Sequence, residues 1–259
     1  MLHVLNIILK IVLVLVVLLI SITIHELGHF SMAKLQKIQV YEFSIGVGYR
    51  LKSWTKNSTT YSFRAVPIGG YVLVMSKELK KILKEEKTPV PIFKSSLKAY
   101  DDIKYWQKLF YLVNGVLFNL ILAYLIILIV LLVKGDSNFF IQSFIVTGRG
   151  LCAIFLAIGN IFSGHFKSIS GVFSLFSKAS TASSWLFFIN LLIVINLNLF
   201  IFNLFFIPPL DGYKMVEATY EKIRGKEMSI KMKTIINLIG ISLLLSLFVI
   251  VLLHDLGLF

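Results

Sequence analysis

Four apolar stretches, each long enough to cross about 30 Å of hydrocarbon, constrain this chain more than any other feature. They run roughly from Val4 to Phe30, Leu109 to Val133, Trp185 to Ile207 and Ile235 to Leu253. Backbone inside lipid has no water to bond, so each stretch must satisfy its own N–H and C=O groups and is read as a helix. Composition agrees, with 57% of the 259 residues hydrophobic and 22 of them Phe, and a mean hydropathy of +0.85. Such a chain is an integral membrane protein. A weaker patch, 151–162, contains Gly159 and Asn160 and falls short of a span. It is expected to lie at the interface or to insert partly. A secretory signal peptide is the competing reading of residues 1–30, but no small-residue cleavage site follows them.

The formal charge of +13 raises the question of nucleic acid, and its distribution excludes that partner. Lys and Arg crowd into 34–108, mixed with acids, and into 214–233, whereas the stretch before Lys10 and residues 134–184 are sparse in them. The positive-inside rule therefore places the segments between spans one and two and between spans three and four in the cytoplasm, with both termini outside. The remaining basic excess favours anionic membrane lipid. Cys152 is the only cysteine, so neither an intrachain disulfide nor a thiolate metal site is available.

Near the end of the first span stands His25-Glu26-Leu27-Gly28-His29. Imidazoles four residues apart share one helix face and can reach one Zn²⁺ ion, and a flanking carboxylate can take a proton from water that the metal has acidified. HExxH is the hydrolytic zinc signature, and ionisable groups at membrane depth are costly enough to be functional by default. Two histidines leave the ligand set one short. His3, His165 and His254 are all expected on the far side of the bilayer. The best-placed acid is Asp211, in the run Asn203 to Gly212 (NLFFIPPLDG) at the cytoplasmic end of span three. Pro208-Pro209 would break that helix, and irregular backbone at this depth requires protein or a water-filled cavity around it. A simple helix-terminating turn is the alternative for PPLDG.

Between spans one and two, residues 40–51 alternate apolar Tyr41, Phe43, Ile45, Val47, Tyr49 and Leu51 with small or polar residues, and 60–74 resume the pattern around Pro67-Ile68-Gly69-Gly70. Period two predicts strands, with Lys56-Asn57-Ser58 as the turn. The fold class is thus an all-α integral membrane protein of about four transmembrane helices, with a small membrane-associated β-hairpin or sheet after the first. Residues 77–104 are charged and Pro-interrupted, and predict a solvated connector or surface helix.

Taken together these motifs resemble the site-2 protease family of intramembrane zinc metalloproteases, in its bacterial branch. HELGH is similar to the family's first-span motif, FNLFFIPPLDG to its NxxPxPxLDG motif, and PIGGYV at 67–72 to its membrane-facing β-loop. KYWQKLFYLVNGVLFNLILA at 104–123 is similar to its segment with a Gly-Pro-x-x-Asn core, and GHFKSISGVFSLFSK at 164–178 to its stretch before span three. The resemblance implies one intramembrane metalloprotease domain over residues 1–259, with His25, His29 and Asp211 as ligands of one Zn²⁺ and Glu26 as general base. It implies Asn203 as an oxyanion-steadying amide and Asn119 as a residue holding the substrate strand; an amide bonded to a neighbouring helix is the other reading of Asn119. Gly69 and Gly70 fall in the loop expected to receive an extended substrate, or merely to cover the membrane face. Implied substrates are transmembrane segments of single-pass proteins, such as anti-sigma-factor-like regulators, or signal-peptide remnants. A catalytically inactive scaffold that binds membrane helices is the alternative function. Phe206, Val116 and Val172 replace prolines of the family pattern, which puts helix kinks in question, and 134–184 is too short for the PDZ domain of many relatives.

Overall fold

A computed structural model describes residues 2–162 and 184–255. The segment resembling the family's stretch before span three, with His165 and Val172, lies outside the described residues.

Helix α1 (Leu2–Leu35) is followed by strands β1 (Val40–Lys56) and β2 (Thr59–Val74), then by the short helix α2 (Lys77–Glu85). Helices α3 (Tyr105–Val133), α4 (Phe139–Phe162), α5 (Ser184–Phe202), α6 (Asp211–Arg224) and α7 (Ile230–Asp255) complete the described chain. Five of these helices are long and apolar enough to cross a membrane. Their outer faces carry apolar side chains such as Ile121 (48% exposed) and Ile129 (55%), as a lipid-facing surface requires.

The fifth is α4, so the expected count of four spans is not confirmed, and residues 151–162 are the second half of one longer apolar helix. This helix begins at Phe139, and its segment Phe139–Asn160 has a mean hydropathy of 1.7. Its first half looks polar in sequence because of Gln142, Ser143 and Thr147. Ser143 and Thr147 are in fact buried, and the Ser143 hydroxyl donates to the Phe140 carbonyl at 2.7 Å, so neither faces lipid. With five membrane-capable helices, an even number of crossings no longer follows, and nor does the inference that both termini share one side.

The strands fold back on themselves. From the turn at Asn57-Ser58, where both residues have positive φ, Lys56 pairs with Thr59 and Trp54 with Tyr61. Positive φ at Gly46 and Gly48 lets β1 bend, so that residues 42–45 lie between two stretches of β2. Phe43 faces both Tyr61 and Val72, and Ile45 both Phe63 and Gly70. The polar side of the alternation is buried at Glu42, Ser44 and Gly46, whereas on the apolar side only Phe43 is. Glu42 is 2% exposed and receives Arg64 Nη2 at 2.9 Å, Arg50 Nη2 at 3.1 Å and Ser62 Oγ at 2.6 Å. Tyr49 and Leu51 point outward.

Helix α2 starts at an N-cap, Ser76, whose Oγ accepts from Leu79 N, and it buries Leu83. One core cluster unites Ala33 of α1, Ile38, Val40 of β1 and Tyr111 and Leu112 of α3; a second joins Val17 of α1 to Leu191 and Leu192 of α5. Inside the bundle the Asn196 amide donates to Ser21 Oγ at 2.8 Å. This bond ties α5 to α1 one turn before His25.

Candidate metal centre

The α1–α3 crossing is what brings the histidines inside. A Cβ on Gly28 would overlap the Asn114 carbonyl, and one on Gly115 would overlap the His29 imidazole. Two helices pack this closely only where both are bare of side chain. His25 (8% exposed) and His29 (5%) are thereby buried, while Glu26, between them in sequence, lines the adjoining cavity.

Asp211 arrives from the opposite wall. Helix α5 ends at Phe202, and irregular backbone runs from Asn203 to Leu210 before α6 begins. The break therefore comes ahead of Phe206, and the missing proline there does not delay it. Gly212 N donates to the Asn203 carbonyl at 2.7 Å, closing this loop, and a Cβ on Gly212 would overlap the Leu204 carbonyl. The loop thus delivers the 3% exposed Asp211 as the first residue of α6, where the helix dipole favours a carboxylate.

The three side chains converge. His25 Nε2 lies 2.9 Å and His29 Nε2 3.0 Å from Asp211 Oδ2, the two Nε2 atoms are 3.1 Å apart, and the three donor atoms all fall within 4.8 Å of one another. Outer partners set the tautomers. His29 Nδ1 is 2.8 Å from the Tyr111 carbonyl, which only a protonated Nδ1 can satisfy, so the neutral ring turns its Nε2 lone pair to the centre. Asn119 Nδ2 is 3.4 Å from His25 Nδ1, and Asn119 Oδ1, fully buried, has no partner among the described residues. Turning this amide by half a rotation sets Oδ1 against an Nδ1–H, which satisfies both and frees His25 Nε2 as well. Two imidazole nitrogens and one carboxylate oxygen, with room for a fourth donor, suit a catalytic Zn²⁺ site. Burial alone would push the Asp211 carboxyl up, but the Lys214 ammonium and the bonds to His25 and His29 hold it well below the usual carboxylate range.

A cavity of about 870 Å³ adjoins the centre, lined by Glu26, Asn203 and Asp211, by the strand residues Gly70 to Val74, and by charged residues of α6. Gly70 is close to the base, since a Cβ there would stand 3.5 Å from Glu26 Cγ and 2.8 Å from the Ser44 carbonyl. Gly69, at φ +113°, makes the bend into this edge. Asn119 is buried behind His25, away from the cavity lining. Three participants escaped the sequence reading: Gly115, the Tyr111 carbonyl and Lys214, whose Nζ lies 3.1 Å from Asp211 Oδ1. Two of these carried a signal: Gly115 opens the Gly-x-x-x-Asn stretch already singled out, and Lys214 stands three residues after Asp211 and so on its helix face.

A helix-borne HExxH joined by a carboxylate from a broken helix, among helices of membrane length, is an arrangement that could hold a metal ion of the kind hydrolases use. The profile of Peptidase family M50 matches residues 13–257, and the chain belongs to that family, that of the site-2 proteases. It is 38% identical over 118 residues to FN1322 of Fusobacterium nucleatum, and 37% identical over 114 residues to CA_C1796 of Clostridium acetobutylicum; both names provisionally describe zinc metalloproteases. Over 57 residues it is 46% identical to the zinc metalloprotease RasP of Oceanobacillus iheyensis. These alignments cover 46%, 44% and 22% of this chain and only 31%, 30% and 13% of the three relatives.

Proposed function

We propose that this chain is a zinc-dependent intramembrane endopeptidase that cleaves transmembrane segments of single-pass membrane proteins or signal-peptide remnants. The observation that carries the reading is the convergence of His25, His29 and Asp211 beside Glu26 on a cavity walled by a strand edge. His25, His29 and Asp211 would hold Zn²⁺, which supplies Lewis acidity to a water and to the scissile carbonyl. Glu26 accepts the proton of the attacking water and returns it to the amide nitrogen as the C–N bond breaks. The Asn203 amide, on the same cavity, donates toward the carbonyl oxygen as it becomes negative. Gly70 to Val74 receive the unwound substrate as an added strand, main chain to main chain. The excess of Lys and Arg in 34–108 and 214–233 supports a cytoplasmic location for this side of the molecule, facing anionic lipid.

The test compares membrane proteomes of cells carrying the wild-type chain and Glu26→Gln. Single-pass fragments should accumulate with the variant while its zinc content, measured on purified protein, stays near one per chain. Identical proteomes would refute the protease reading.

A further inference from the structure

We infer that Lys214 is a positioning residue that divides the two oxygens of Asp211, holding Oδ1 so that Oδ2 alone faces the metal position. The inference rests on the zinc site proposed above. Asp211 Oδ2 is shared by both histidine Nε2 atoms at 2.9 and 3.0 Å, while Oδ1 is 3.1 Å from Lys214 Nζ. The terminal torsion of an aspartate is broad and roughly two-fold, so a carboxylate free to rotate can offer a cation either oxygen or both. Anchoring Oδ1 keeps the protein donors at three and leaves a position for water, as a hydrolytic centre needs.

The helix dipole does not account for a lysine at this place. It sits at the start of α6, where the macrodipole opposes a cation, whereas Lys222 and Arg224 occupy the last turn, where the dipole favours them. Its side chain is 51% exposed and lines the cavity, so water screens its charge toward a bound dication more than it weakens the short contact to Oδ1. Two effects of opposite sign follow. Charge repulsion alone would make a neutral substitution tighten zinc binding. Loss of orientation would weaken it.

That sign is the readout. Full-length protein in non-ionic detergent, as wild type, K214M, K214Q, K214R and D211A, is titrated with zinc against a competing chelator, and Co²⁺ is then loaded for its visible absorption. K214M should lose about 10- to 100-fold in zinc affinity, the usual cost of an outer-shell partner. K214Q should lose less, because its amide still donates, and K214R should stay within a few-fold of wild type. Co²⁺ in K214M should absorb more weakly, as a five-coordinate ion does once Oδ1 is free to bind. If D211A weakens binding while K214M and K214Q bind as tightly as wild type or tighter, with an unchanged Co²⁺ spectrum, the positioning role is overturned and the zinc site stands. If D211A itself binds as wild type, the zinc reading fails, and this inference with it.

Discussion

Gly115 of α3 packs against the imidazole of His29, so close that a β-carbon there would overlap Nε2. The neighbouring Gly28–Asn114 contact is as tight, so the crossing has no slack to absorb an added methyl group. Gly115→Ala must therefore turn the His29 ring or spread α1 from α3. The expected result is zinc affinity lower by at least about tenfold, the scale of a disturbed ligand orientation. Chelator competition on purified protein measures it, and an unchanged affinity would show that the crossing tolerates a methyl group.

Asn119 separates two roles by experiment. It is fully buried with its amide 3.4 Å from His25 Nδ1, which makes it the partner that orients His25. Asn119→Leu should lower zinc affinity about 10- to 100-fold, with kcat falling in metal-limited assays and recovering at saturating zinc. Should zinc binding hold while KM for a membrane substrate rises, the residue acts on substrate instead.

The buried Glu42 gives the β-element a pH limit. Burial would raise its carboxyl, but the Ser62 hydroxyl and the Arg64 and Arg50 guanidinium groups hold it below the ordinary value of 4.5. A depressed folded-state value means that Glu42 contributes stability above pH 4.5, and that this contribution is lost as pH falls through the folded value. Trp54 stacks on Tyr61 within the element and reports on it in a Trp106→Phe, Trp185→Phe background. Its fluorescence should show the element loosening below pH 4.5. Glu42→Gln should destabilise it by about 3 kcal/mol at neutral pH, the lower end for a broken buried pair because Arg50 still reaches water. The same variant should flatten the acid dependence.

The three converging side chains, His25, His29 and Asp211, were legible in the sequence because their chemistry is local. HExxH sets two histidines one turn apart whatever surrounds them, and Pro208-Pro209 announces a broken helix around Asp211. The part the glycines play in the approach was not legible, because Gly28 and Gly115 matter only through a crossing between segments that are remote in sequence. Lys214 was passed over as one charge among many in 214–233. Helix α4 was missed for a related reason: Ser143 and Thr147 count as polar in a hydropathy sum, but once buried they cost lipid nothing. Glu42 shows the same limit within the strands, since alternation reveals two faces without saying which is inside.

Substrate choice should follow the cost of unwinding. Residues Gly70 to Leu73 pair with β1 on one side, Gly70 with Ile45 and Leu73 with Glu42, and line the cavity beside Glu26. A segment joining this edge must be extended, whereas a transmembrane helix has its carbonyls already bonded within itself. Each glycine in a helix interior lowers its stability by about 1 kcal/mol relative to alanine. If unwinding precedes the attack, one glycine near the scissile bond should speed cleavage about fivefold, and two about 25-fold. Synthetic single spans that differ only in carrying Leu-Leu or Gly-Gly at mid-depth, incubated with purified enzyme in detergent, supply the comparison. Equal turnover of the two would mean that the helix opens before it reaches the enzyme or that another step is limiting, and the strand edge would lose its proposed part in the reaction.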